Sequence, residues 1–199
     1  MKLLYSPASP YAAKVRMAAR HLDIEIVSVK VDTATPPPEL LDSNPLTKIP
    51  TLLREDEPAI YDSVAIMHYL DRLSDGKLYP GKDPKRTTAE VLEALCDGML
   101  DSLLAIMNER RSRPEELVHQ PWIDKQWGKV SRGLDHLEAD PPKAGHKLNG
   151  GDFALAALLS YLDLRFADRT WRQGRPALSA WLEAFRQDFP DFEELKAGA

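Results

Sequence analysis

Three short stretches carry residues whose types and spacing could do chemistry. In "SPASPYAAKVR", Ser6 and Ser9 stand just ahead of a segment with helical period, in which Tyr11, Val15, Ala18, Ala19 and Leu22 share one face. Pro10 suits the first helical turn, where its missing N–H costs nothing. Ser9 therefore reads as the N-cap, with its hydroxyl over the unpaired amides of that turn. In "YDSVAI", Asp62 and Ser63 stand where a strand gives way to a helix. Both residue types cap helices. The same position suits a ligand carboxylate, because a helix N-terminus offers free amides and the positive end of the helix dipole. Asp62 can in turn hold an ammonium group. In "KIPTLL", Pro50 enters a strand at a point where a missing N–H is tolerated. The first twenty residues hold no histidine.

The other candidates read as structural. His21, His68, His119, His136 and His146 show no metal-ligand spacing, and His68 lies in an otherwise apolar helix as a partly buried residue. No metal site is expected. The single cysteine, Cys96, excludes an internal disulfide, a CxxC pair and a cysteine-rich zinc site, and it reads as a small buried hydrophobe. In "LNGGDFAL", Asn149 takes the cap position and Asp152 the third helical one, a reciprocal cap that carries folding information only.

These residues must be positioned by elements, and the chain changes character near residue 80. Its 199 residues, 43% hydrophobic and 29% charged, describe an ordinary soluble globule with enough length to bury a core. A net charge of -5 gives no reason to expect nucleic acid or an anionic membrane as partner. No apolar run approaches the ~20 residues that span a bilayer, and the first twenty residues read as strand and helix rather than a leader. The expected location is the cytoplasm. Residues 1–76 alternate: "KLLY" as a strand, a helix over Tyr11–Leu22, a strand over 24–31, a short helix around Pro38–Asp42, a hairpin from "PTLLR" and "PAIY", and a helix over Asp62–Leu73. Two strands joined through a helix imply a parallel pair with a right-handed crossover. "SDGKLYPGKDP" is a linker. Residues 84–199 are helical throughout: a long helix over 85–111, another over Glu115–Glu138 that Pro121 kinks or delays, a loop "ADPPKAGHK", a buried central helix in "LNGGDFALAALLSYLDLRF", and a last amphipathic helix in "RPALSAWLEAFRQDF".

An α/β domain followed by an all-helical one, with "SPASPYAAKVR", "NPLTKIPTLL", "YDSVAIMHYLD" and "LNGGDFALAALLSYLDLRF" in this order, resembles the soluble glutathione transferase family, and its serine-type bacterial members in particular. The resemblance implies a thioredoxin-like first domain in which the Ile49–Pro50 bond is cis and the Ile49 backbone pairs with the cysteinyl part of glutathione. It implies that Asp62 and Ser63 hold the γ-glutamyl end, where many members carry glutamate in place of Asp62. Lys48 would reach the glycyl carboxylate. Ser9 takes the catalytic position, with Ser6 as its rival. A thiol has a pKa of about 8.5 in model peptides, and lowering it two units takes roughly 2.7 kcal/mol. A hydroxyl donating to an anion supplies ~1.5–3 kcal/mol and a helix N-terminus about 0.3–1, so no general base is needed.

The resemblance further implies conjugation of glutathione, as co-substrate, to a small hydrophobic electrophile. That acceptor would sit between Tyr11 and the long helix around Leu103, Met107 and Arg110. Glutathione-dependent reduction or dehalogenation on the same site, and a non-catalytic binding or regulatory role, are the alternatives. A homodimer is expected through the first helix pair of the second domain and the Asp62–Leu73 helix, on the apolar content of Met67, Met99 and Leu103.

Overall fold

The structure, a computed structural model of the chain, describes residues 1–143 and 147–199. His146 and part of the "ADPPKAGHK" loop lie outside the described residues. The first half is a four-stranded mixed sheet in the order β2-β1-β3-β4, built from β1 (Lys2–Tyr5), β2 (Val27–Lys30), β3 (Thr51–Arg54) and β4 (Glu57–Ile60). β1 and β2 run parallel through α1 (Pro10–His21), as the strand–helix–strand order requires, and β3 and β4 form the antiparallel hairpin. α2 (Pro38–Ser43) and α3 (Ser63–Leu73) complete this thioredoxin-like unit. β2 is shorter than the 24–31 run expected from its β-branched residues. The Ile24 N–H is still bonded to the Ala19 carbonyl at 3.0 Å, so the chain leaves α1 late and joins β1 only from Val27.

The second half is helical: α4 (Lys85–Ser112), α5 (Gln120–Ala139), α6 (Gly150–Arg165), α7 (Pro176–Asp188) and α8 (Phe192–Leu195). Pro121 falls in the first turn of α5 and delays the helix rather than kinking it. Glu115–Leu117 forms a separate 3₁₀ turn ahead of it. α8 is too short to leave a periodic signal, and it is anchored by buried Phe192 and Leu195.

α6 is apolar all round and sits at the centre, with every residue from Gly150 to Leu162 buried. It packs on α4 and on α1 and so ties the two halves together. Asn149 and Asp152 form the reciprocal cap, with the Asn149 N–H donating to Asp152 Oδ2 at 2.9 Å. Gly151 permits the α4 approach, since a Cβ there would meet the Ala89 carbonyl oxygen at 2.7 Å.

This centre accounts for the apolar content that suggested a dimer face. Met67 and Leu103 are fully buried and Met99 nearly so, all inside the chain's own core. On α3 and α4 the exposed large apolar side chains are instead Leu73 and Val91. Cys96 is buried, which pushes its thiol up. His68 is partly buried and stacks on the Tyr79 ring at 5.1 Å.

Candidate active site

The strand register brings the three stretches to one edge of the sheet. β1 pairs antiparallel with β3, Leu4 opposite Thr51, so the end of β1 lies beside the start of β3. β4 pairs antiparallel with β3, Leu52 opposite Ile60, so the end of β4 lies there too. The loop into α1, the Ile49–Pro50 turn and the first turn of α3 therefore converge, although they are far apart in sequence.

At this edge Ser9 is the N-cap of α1, and its Oγ accepts from the Ala12 N–H at 3.2 Å. A hydroxyl has two acceptor lone pairs and one donor proton. Capping uses a lone pair, and among the described residues nothing receives the proton. Capping and anion stabilisation are thus compatible in one hydroxyl. The Ser6 carbonyl accepts from the Ser9 N–H at 2.9 Å and closes the turn. Asp62 caps α3 with a single oxygen, Oδ1, which accepts from Val64 and Ala65 at 3.1 and 3.5 Å; Oδ2 is left for another partner. Ser63 is the first residue of α3 and is buried at 4% exposure.

The Ile49–Pro50 bond is cis. Among the described residues the Ile49 N–H and carbonyl make no hydrogen bond. The turn is pinned from below by Asn44, buried at 1% exposure, whose Nδ2 donates to the Lys48 carbonyl and to Thr51 Oγ1, both at 3.0 Å. The Lys48 side chain is exposed.

Across from α1 stands α4. Lys14, fully buried, donates to Glu93 Oε1 at 2.8 Å and to both Asp97 oxygens at 3.0 and 2.7 Å. The Tyr79 hydroxyl donates to the other Glu93 oxygen. Burial pulls the Lys14 ammonium down, but Asp97 and Glu93 more than offset it, and it stays above the ordinary lysine value. One turn nearer the site, the Tyr11 hydroxyl donates to Asp101 Oδ1. Burial and Asp101 together push the Tyr11 phenol far up. Leu103 does not line an open site, because it is fully buried among the core residues. Met107 is half-buried against the same core, and Arg110 is exposed.

The pattern of the glutathione S-transferase N-terminal domain matches residues 3–78, and that of the glutathione S-transferase C-terminal domain matches residues 120–184. A glutathione S-transferase from Methylobacillus flagellatus KT, solved with glutathione bound, is 36% identical and superposes with a TM-score of 0.90 over 98% of each chain. The chain belongs to the glutathione S-transferase family. A second family member, from Pseudomonas fluorescens Pf-5 and solved with S-(propanoic acid)-glutathione, is 30% identical with a TM-score of 0.85, covering 100% of both chains. The GST-like protein YibF of Escherichia coli K12 is 27% identical over 99% of this chain and 100% of its own length.

Sequence reasoning on this transferase-family chain missed Asn44 and Asp101. Asn44 had a local signal, an Asn-Pro turn four residues before Lys48. Asp101 had none, because its partner Tyr11 lies 90 positions away. Among the described residues no three His, Cys, Asp or Glu side chains are grouped to hold a metal ion, and no helix is long and apolar enough to cross a membrane.

Proposed function

We propose that the chain conjugates the thiolate of glutathione to a small, largely apolar electrophile. The observation that carries this reading is the Ser9 hydroxyl. It caps α1 through a lone pair while its proton remains free, on the same sheet edge as the unpaired Ile49 backbone and the second Asp62 oxygen. Ser9 donates to the thiolate, and the α1 amides beside it add the field of a helix N-terminus. The Ile49 N–H and carbonyl pair with the cysteinyl unit as an added strand would. Asp62 Oδ2 holds the γ-glutamyl ammonium, the α3 N-terminus at Ser63 holds its carboxylate, and Lys48 faces the glycyl carboxylate. Tyr11, Met107 and Arg110 border the acceptor. The Pseudomonas relative's ligand, with its substituent on the glutathione sulfur, is what a conjugation product looks like.

Residues 1–76 form the glutathione-binding unit and 84–199 the helical one, acting in the cytoplasm. Asp62→Ala should weaken glutathione binding by about 1.5–3 kcal/mol, toward the lower end because the site is exposed. Calorimetry with the fold intact measures it, and unchanged affinity would remove Asp62 from the site. Wild-type protein that binds glutathione yet turns over no aryl halide would be a carrier rather than an enzyme.

The assembly is a homodimer joined through α3 and α4, where Leu73 and Val91 are exposed. Light scattering at micromolar concentration should give twice the chain mass of 22.4 kDa. A monomer mass would end the idea.

A further inference from the structure

The Ile49 N–H is aimed by side chains on the buried side of its own turn. The Lys48–Ile49 bond is trans, and in a trans peptide the carbonyl and the following N–H point in opposite directions. Whatever holds the Lys48 carbonyl therefore sets the direction of the Ile49 N–H. Two donors hold it, Asn44 Nδ2 at 3.0 Å and Thr51 Oγ1 at 2.8 Å. Together they fill both lone pairs of that oxygen. Both come from the interior, with Asn44 at 1% exposure and Thr51 at 0%. The Ile49 N–H thus points away from the core, and among the described residues nothing receives it.

Asn44 is committed to this turn with every polar group it has. Its Oδ1 accepts from the Leu46 N–H at 3.0 Å, and its backbone carbonyl accepts from the Thr47 N–H at 2.8 Å. Its own N–H donates to the Leu40 carbonyl at 3.0 Å. Its Nδ2 also donates to Thr51 Oγ1 at 3.0 Å, so the two groups that meet on the Lys48 carbonyl are bonded to each other. The turn they enclose contains Thr47 at φ 55. A β-branched residue disfavours that left-handed backbone, which persists only where the surroundings enforce it. A carboxamide is costly to bury unless its bonds are made. Here they are made, and they converge on one peptide plane.

Resting on the glutathione reading above, we propose that Asn44, with Thr51, is a positioning residue for glutathione, which fixes the Lys48–Ile49 peptide so that the Ile49 N–H meets the cysteinyl carbonyl of the tripeptide. The alignment exists before the ligand arrives, so binding does not have to order it. The contact reads the peptide backbone of the ligand. It is separate from Ser9 at the sulfur and from Asp62 at the γ-glutamyl end.

The test is a cycle of two variants and two ligands, with dissociation constants from calorimetry. The ligands are glutathione and an analogue in which the cysteinyl carbonyl is replaced by CH2, which leaves the Ile49 N–H nothing to donate to. Wild type should bind the analogue about 10-fold more weakly than glutathione. Asn44→Ala should weaken glutathione roughly 5-fold and the analogue by less than about twofold. Thr51→Val takes away one of the two donors, leaves Asn44 on the carbonyl, and should give the same pattern at roughly 2- to 3-fold. It carries the test if Asn44→Ala, which also strands the Leu46 N–H, fails to fold. Unchanged glutathione affinity in both variants, or an equal loss with both ligands, would overturn the assignment. Wild type that binds the analogue as tightly as glutathione would overturn it as well, while leaving glutathione binding in place. Wild type that binds no glutathione would bring down that reading and this inference with it.

Discussion

Lys14→Met is expected to destabilise the folded chain by about 3–5 kcal/mol, the cost of removing one partner from a buried ionic group. Lys14 is fully buried, and its ammonium is the cation that Glu93 and Asp97 share at 2.7–3.0 Å. Methionine keeps most of the volume, so cavity formation is a minor part of the effect. What remains is two carboxylates with 4% and 15% exposed side chains, facing each other without a cation. At roughly 2–4 °C per kcal/mol for a chain of this size, the melting temperature should fall by on the order of 10 °C. Adding Glu93→Gln and Asp97→Asn to the variant removes the stranded charges and should recover part of the loss. A melt unmoved by Lys14→Met would show that the network does not hold α1 against α4. On the proposed reading the network also bears on function, because α1 carries Ser9 at its N-cap.

Ser9→Ala carries the other large effect, and its signature is kinetic. On the proposed reading the hydroxyl acts on the thiolate, so glutathione affinity at a pH where the thiol is protonated should be nearly unchanged. A lost bond worth ~1.5–3 kcal/mol raises the bound thiol by about one to two units. Below both midpoints the thiolate fraction then falls about 10- to 100-fold. A more basic thiolate is a better nucleophile and returns about half of that on a logarithmic scale, leaving a drop in kcat of about 3- to 10-fold. The lost cap costs the helix ~1 kcal/mol, which a thermal melt separates from the kinetic effect. A loss of affinity equal to the loss of turnover would instead make Ser9 a binding residue.

The sequence was most readable where the physics is local. Ser9, Asp62 and Asn149 cap their helices as expected because a cap is a matter of three or four neighbouring residues. The thioredoxin-like order followed from alternating patterns, and the two-domain architecture from the change near residue 80. Pairings across the chain were not legible. Tyr11 and Asp101 are 90 positions apart, and Lys14 and Glu93 are 79 apart. No spacing rule connects such residues, and a lysine on an amphipathic helix reads as solvated until a second helix covers it. The apolar residues Met67, Met99 and Leu103 read as a partner surface only until the demand of the central helix α6 is counted. A helix buried on every side needs apolar neighbours all round, and these residues help to supply them.

The measurement that bears most directly on the account is a pH titration of thiolate ultraviolet absorbance in the binary complex with glutathione, for wild type, Ser9→Ala and Ser6→Ala. The account predicts a wild-type midpoint about two units below the ~8.5 of a free thiol, a rise of one unit or more in Ser9→Ala, and no change in Ser6→Ala. A curve that moves with Ser6 and not with Ser9, or with neither, would contradict it.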